Sequence, residues 1–445
     1  MRTLCWVLGG FLAFATLVVA APFVVPLKQF TPQLSELVSM RVGHPVALTD
    51  LQLSLWPTPG ATAQGARLGK ANDIVIEEIL IVPELRTLFD DAPVIKELRA
   101  RRVTVKRSGL AIVQGLQRRS SAAHSHSSSG LHIERIVLEQ VAVEHSTLRL
   151  PSFDLELLLG ASNAMRQASF TARDGTFQLV MVPREAGGYA LEVKASNWAV
   201  PVKDLRLTFA SLAARGVLHG GRLAFAPIRA TLYGGRVNGD AKLNWEGRWA
   251  LGAALDIRGV DVAKLQHALN RPAKLTGRLT AQATLSSRAK SSSTLADALA
   301  LDAPFRIEQG SFGGMDLSKA ASLSHGEAAR GGETQFEEFT GLLHVRGRLR
   351  RVDEFCARSS ALVAGGNVQL DAREQLSGRL DVSVANTAGL VRVPVRLSGT
   401  SSDPVATPSQ MMSLGAIIGT LLLPGVGTVI GASAANVMEG QAGCT

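Results

Sequence analysis

The chain has 445 residues, 46% hydrophobic and 19% charged, with a formal net charge of +10. That balance excludes a disordered chain and leaves room for about two to four domains. The basic residues are spread singly and are not interleaved with aromatics, which make up only 5%, so the charge does not describe a nucleic-acid surface.

The amino terminus sets the compartment. From Leu4 to Ala21 no residue is charged, and Phe23, Val24 and Val25 extend the run beyond Pro22. About 20 apolar residues cross a hydrocarbon core as a helix, so residues 1–26 read as a retained membrane anchor. A cleaved signal peptide is the competing reading, on Val18, Ala20 and Ala21, and Pro22 argues against cleavage. Either way the rest of the chain is exported.

Residues 27–117 then read as a β region that opens with a short amphipathic helix, Leu27 to Val42, carrying Leu34, Leu37, Val38 and Val42 on one face. Alternation follows at Val46 and Leu48 and at Leu51, Leu53 and Leu55, and again over Asp73 to Ile81 and Val94 to Val105. Pro83 to Phe89 suits a short helix. Residues 118–130, "RRSSAAHSHSSSG", have almost no apolar side chains and read as a flexible linker or loop. His124, His126 and His132 in and beside it lack a spaced Cys or acidic partner, so no metal site is expected there.

Residues 131–408 read as the main β region. Short strands are expected over Ile133 to Val143, Thr147 to Leu159, Ala168 to Val182, Tyr189 to Val193 and Leu205 to Phe209. Helical spacing interrupts them over Val260 to Leu269 and Thr294 to Leu301, with Asp261 and Thr294 as caps. The clearest alternation lies further on. Val237, Gly239, Ala241, Leu243 and Trp245 share one parity, against Arg236, Asn238, Asp240, Lys242, Asn244 and Glu246 on the other. Leu275, Leu279, Ala281, Ala283 and Leu285 repeat it against Lys274, Thr276, Arg278, Thr280, Gln282 and Thr284. Successive strand side chains point to opposite faces, so these stretches encode a sheet with one apolar and one wet face.

Residues 409–445 depart from that pattern. Met411 to Val437 is almost uncharged, with Gly415 and Gly419, then Gly427 and Gly431, each four apart around Pro424. Two short apolar helical pieces are expected there, as a re-entrant hairpin, a docking tip, a plug or a terminal helix packed on the sheet. Cys5 lies in the leader, so at most Cys356 and Cys444 pair.

No phosphate-binding loop, nucleophile elbow, Cys-x-x-Cys pair or metal-binding helix is present in the sequence. The chain is therefore expected to be no enzyme and to need no cofactor, catalytic residue or metal.

Several stretches resemble AsmA-like proteins. At the carboxy-terminal side these are "GLLHVRGRLRRVDEF", "ALVAGGNVQLDAREQLSGRLDVSVAN" and "VRVPVRLSGTSSDPVATPS". Upstream they are "ATLYGGRVNGDAKLNW", "GVDVAKLQ", "AKLTGRLTAQATLSS", "RIEQGSFGGMDLSKA" and "HPVALTDLQLSLWPTPG". The resemblance is densest from Arg229 to Pro408. It implies a single-pass protein of a Gram-negative inner membrane with its bulk in the periplasm and a tie to outer-membrane homeostasis. It also implies a place among bridge-like lipid-transfer proteins, whose strands curl into a long open apolar groove.

The expected fold is thus mainly β with some α: a long curved antiparallel sheet forming an open apolar groove, an N-terminal transmembrane helix, a few short helices and a C-terminal apolar helical segment. The groove lining expected from the alternating stretches is Val237, Ala241, Leu243, Trp245, Leu275, Leu279, Ala281, Ala283 and Leu285. Leu380, Val382, Val384, Val393, Val395 and Leu397 continue it. The expected partners are phospholipid or another lipid, the inner membrane through the N-terminal helix, and an outer-membrane or periplasmic protein. The alternative is an assembly factor for outer-membrane proteins that pairs through strand edges without moving lipid. A transmembrane β-barrel ranks third, because the aromatic girdles of such barrels are missing.

Overall fold

A computed structural model describes residues 44–54, 59–87, 93–109, 132–144, 149–160, 163–202, 205–323, 327–386 and 389–408, with Ser35, Glu36, Ser39, Ile112 and Cys444. The expected anchor (1–26), the linker (118–130) and the apolar stretch Met411 to Val437 lie outside the described residues. Among the described residues no helix is long and apolar enough to cross a membrane. Two compact units divide the chain: Met1–Val193 with Pro201–Lys203, and Lys194–Val200 with Asp204–Thr445.

The first unit runs through β1 (Val46–Ala47), β2 (Asp50–Ser54), β3 (Gly60–Leu68), β4 (Ile74–Pro83) and β5 (Val94–Val105). It continues through β6 (His132–Val143), β7 (Phe153–Leu159), β8 (Met165–Ala172) and β9 (Phe177–Pro183). Both β1 and β2 pair with β3, on either side of Gly65, whose carbonyl accepts a 3.0 Å hydrogen bond from Thr49 Oγ1. Neighbours then pair antiparallel in chain order, except that β5 and β6 pair in parallel. That corrects the expectation of an all-antiparallel sheet. A parallel pair needs a long return connection, and the stretch after Val105 that contains the polar 118–130 segment provides it. Ile74, Ala100, Val103, Val105 and Val141 bury one face. Arg99, Arg101 and Arg135 interlace with Glu97, Glu139 and Glu156 by ion pairs, all of them across strands except Arg99–Glu97 within β5.

Strand β10 (Tyr189–Ala199) crosses the division between the units. The second unit continues with β11 (Thr208–His219), β12 (Arg222–Leu232), β13 (Gly235–Asn244), β14 (Trp249–Asp261), helix α1 (Val262–Ala268), β15 (Arg278–Ala289) and β16 (Ala300–Gly313). Helix α2 (Leu317–Ser322), β17 (Ala329–Arg330), β18 (Glu333–Arg346), β19 (Leu349–Arg358), β20 (Leu362–Leu370), β21 (Leu376–Asn386), β22 (Gly389–Gly399) and β23 (Pro404–Pro408) complete it. From β11 to β16 each strand pairs antiparallel with the next, and β16 then pairs with β18. The expected cap of α1 is present, with Lys264 N donating to Asp261 Oδ1 at 3.0 Å. The helix expected over Thr294 to Leu301 is replaced by a single 3-10 turn, Ser292–Thr294. Ala300 and Leu301 are taken into β16 by pairing with Arg346 and Val345.

The last strands behave differently from β11–β16. They follow one another from β18 to β23, and β23 then pairs with β17, the two-residue strand that leads through Gly331 and Gly332 into β18. Both glycines have positive φ, +69° and +84°, which an L side chain resists and which lets the chain turn between its two pairings. The run thus returns on itself and α2 fills its interior, with Leu317 1% and Ala320 0% exposed. Phe336, Phe339, Phe355, Val382 and Val395 pack around it. The carboxy terminus is fastened here by a disulfide between Cys356 in β19 and Cys444.

Candidate functional site

The register makes one continuous apolar face from β11 to β16. Leu243 lies opposite Leu223 on one side and Leu251 on the other, and Val237 opposite Ala230 and Ile257. Leu285 lies opposite Ala253 and Leu301, and Ala281 opposite Ile257 and Phe305. Each antiparallel partner points to the same side, so the alternation of single strands adds up across the sheet. At about 3.4 Å per residue a ten-residue strand gives a stripe about 34 Å long, and the six strands β11–β16 make it about 24 Å wide.

Its two ends are built differently. At one end the β13–β14 turn brings Trp245 and Trp249 together, ring centroids 6.0 Å apart and interplanar angle 29°. Beside it Ser287, buried on β15, donates to the carbonyl of Leu295 at 2.6 Å. At the other end α1 buries Val262 and Ala268. Arg206 N donates to the carbonyl of Ala268 at 2.9 Å, tying α1 to the start of β11. The β12–β13 turn there is Tyr233-Gly234, both with positive φ, +48° and +78°, as a two-residue hairpin of this twist requires.

The expected lining residues fall into four groups. Val237, Ala241, Leu243, Trp245 and Leu285 are half-buried on the β11–β16 face, where no helix among the described residues covers them. Ala281 and Ala283 share that face and are buried beneath bulkier cross-strand neighbours such as Leu255 and Ile257. Leu275, Leu279 and Val384 pack against the filled carboxy-terminal core. Leu380, Val382, Val393, Val395 and Leu397 are inside it, all 4% exposed or less, and offer almost no surface to a ligand. Sequence reasoning did not single out Leu223, Leu251, Leu255, Ile257 and Phe305, which belong to the same face. They carry the same alternation, and only the register reveals that they join it.

The opposite, wet face of these strands is basic. Residues 205–290 hold 14 of the 47 Lys and Arg but 4 of the 37 Asp and Glu, a surplus equal to the net charge of the whole chain. Arg222, Arg229, Arg236, Lys242, Arg258, Arg278 and Arg288 all lie exposed on this face. Gly252 leaves it open, since a Cβ there would meet nothing within 4 Å.

Residues 190–351 match the model of the AsmA family, and over this stretch the chain is AsmA-like. The match takes in all of β11–β16 and so the whole uncovered apolar face. No curated protein and no solved structure matches the chain.

Proposed function

We propose that the apolar face of β11–β16 holds the acyl chains of lipid, and that the chain binds or conducts phospholipid between membranes as an inner-membrane-anchored, periplasmic contributor to outer-membrane homeostasis. The observation that carries this reading is the open stripe: Val237, Leu243 and Leu285 keep their parity across paired strands yet remain half-buried with no helix among the described residues over them. Each methylene laid into such a stripe gains about 0.8 kcal/mol, so a tail is held without a specific contact. A length of about 34 Å accommodates an extended acyl chain. The AsmA-like match over the same strands and a disulfide suited to an oxidising compartment support the setting. No proton transfer or bond cleavage is required of any residue.

Lipid extraction and mass spectrometry of the purified full chain test it. Phospholipid should co-purify with the wild type and with Lys242→Asp, and be lost from Leu243→Asp and Leu285→Asp. Equal lipid content in variants of both parities would sink the reading.

A further inference from the structure

Tyr233 occupies a position where its backbone is unfavourable. A non-glycine residue at φ +48° in a two-residue turn is normally Asn, Asp or Gly. The Tyr233 hydroxyl accounts for the choice: it donates to the carbonyl of Arg206 at 3.2 Å and accepts from Thr208 N at 3.1 Å. The ring therefore fixes the segment that carries Arg206 against the end of β12.

Around this staple lies a cavity of about 430 Å³ whose lining includes Arg206, Thr208, Tyr233, Lys264, His267 and Arg271, with no carboxylate among the residues that line it. Lys264 and His267 are one turn apart on α1 and so share its face, and Arg271 follows just beyond the helix. Two carboxylates approach from outside: Glu374 holds Arg271 at 2.6 Å, and Asp261 lies 3.8 Å from Lys264. Arg206 and His267 make no ion pair among the described residues. The cavity sits where the apolar stripe ends, since Tyr233 follows Leu232 of β12 and Thr208 shares the parity of Leu212 on β11.

We infer that this cavity binds the phosphate ester of an anionic lipid whose tails lie on the apolar face. The inference rests on the lipid reading above and names its headgroup class. A guanidinium, an ammonium and an imidazole converge there without an internal carboxylate to satisfy them, and charge-assisted hydrogen bonds to phosphate oxygens are the strong complement of such a set. A free phosphate monoester offers the same oxygens without the tails.

Native mass spectrometry of the full chain in detergent, titrated separately with dioleoyl phosphatidic acid, dioleoylglycerol and inorganic phosphate, separates the cases. The wild type should prefer phosphatidic acid to dioleoylglycerol. The triple variant Arg206→Gln/Lys264→Gln/His267→Gln should lose that preference by roughly tenfold or more. Arg222→Gln/Arg229→Gln/Arg288→Gln, which removes three guanidinium groups from the wet face, should keep it. Arg206→Gln alone leaves the backbone bonds of Arg206 intact and reads in the same direction should the triple variant fail to fold. An undiminished preference in both the triple and the single variant overturns the inference, and if Leu243→Asp still loses lipid the apolar-face reading stands without it. Binding of inorganic phosphate that is lost in the triple variant, with neither lipid bound, keeps the pocket as a phosphate site and overturns the lipid reading. No binding of any probe overturns both.

Discussion

Arg271 and Glu374 are 103 residues apart in the chain, and Nη1 of the first lies 2.6 Å from Oε1 of the second. The contact ties the loop after α1 to the β20–β21 turn, so it fastens one end of the uncovered strands to the filled carboxy-terminal core. Arg350 adds a bond to the same oxygen at 3.3 Å, and Ser401 Oγ donates to Oε2 at 2.9 Å.

Burial pushes the Glu374 carboxyl up, and the hydrogen bonds from Arg271, Ser401 and Arg350 together outweigh it and hold the group below the ordinary glutamate range. A carboxylate whose folded pKa is lowered adds stability that is complete above the unfolded pKa. That stability drains as pH falls through the ordinary range and is gone below the lowered one. The side chains are partly exposed, which limits the contribution to about 1 kcal/mol. Glu374→Gln is therefore expected to lower the Tm at neutral pH and to match the wild type once the pH is below the lowered pKa. A difference that persists unchanged into acid would assign the effect to packing.

Cys356 and Cys444 are 88 residues apart in sequence with Cα atoms 5.4 Å apart, and Cys444 Sγ lies 3.4 Å from the carbonyl oxygen of Ala364 on the next strand. Linking chain segments this far apart stabilises mainly by restricting the unfolded chain, typically by about 2–4 kcal/mol. Reduction, or the double change Cys356→Ser/Cys444→Ser, is expected to lower the Tm without abolishing the fold, because the hydrophobic core of Phe336, Phe339 and Val382 is untouched. Alkylation before and after reduction checks the pairing directly: these two thiols should react only after reduction.

The half-buried lining residues and those inside the carboxy-terminal core should respond differently to truncation. Leu397→Ala removes methyl groups from a filled core and is expected to cost about 2–5 kcal/mol. Leu243→Ala acts on a half-buried face and should cost under about 1.5 kcal/mol while reducing bound lipid. Chemical denaturation of both variants beside a lipid assay decides it, and similar stability losses would mean that the β11–β16 face is covered as well.

The contrast also measures what the sequence could disclose. Alternation identified the faces of β13 and β15, and the cap at Asp261 placed α1, because both signals are local. Whether an apolar face is open or filled is not local. Val395 and Leu243 have the same parity and similar neighbours in sequence, and only the return of β23 to a two-residue strand, Ala329–Arg330, with α2 inside, distinguishes them. The parallel β5–β6 pairing was equally hidden, since parallel and antiparallel strands of this length carry the same alternation. The cationic cavity draws on Arg206 and Arg271, far apart in the chain and brought together by α1, and Tyr233 in a Tyr-Gly turn was its only local trace.

Gly239 illustrates a residue whose role in the stripe was legible and whose reason was not. It has the apolar parity between Val237 and Ala241, yet its φ is +158° and a Cβ there would lie 2.0 Å from the carbonyl oxygen of Ala254. The obstacle is backbone of the adjacent strand, which cannot swing aside as a side chain would. Gly239→Ala is therefore expected to shift β13 against β14 and to cost about 2–3 kcal/mol, in the range of overpacked cores. Gly252→Ala, one strand away and facing open space, should be neutral or slightly stabilising, by up to about 1 kcal/mol through the unfolded chain. Thermal unfolding of the pair tests the register itself. If Gly239→Ala were as harmless as Gly252→Ala, the alignment of Gly239 with Leu255 would be wrong, and with it the continuity of the apolar face across these strands.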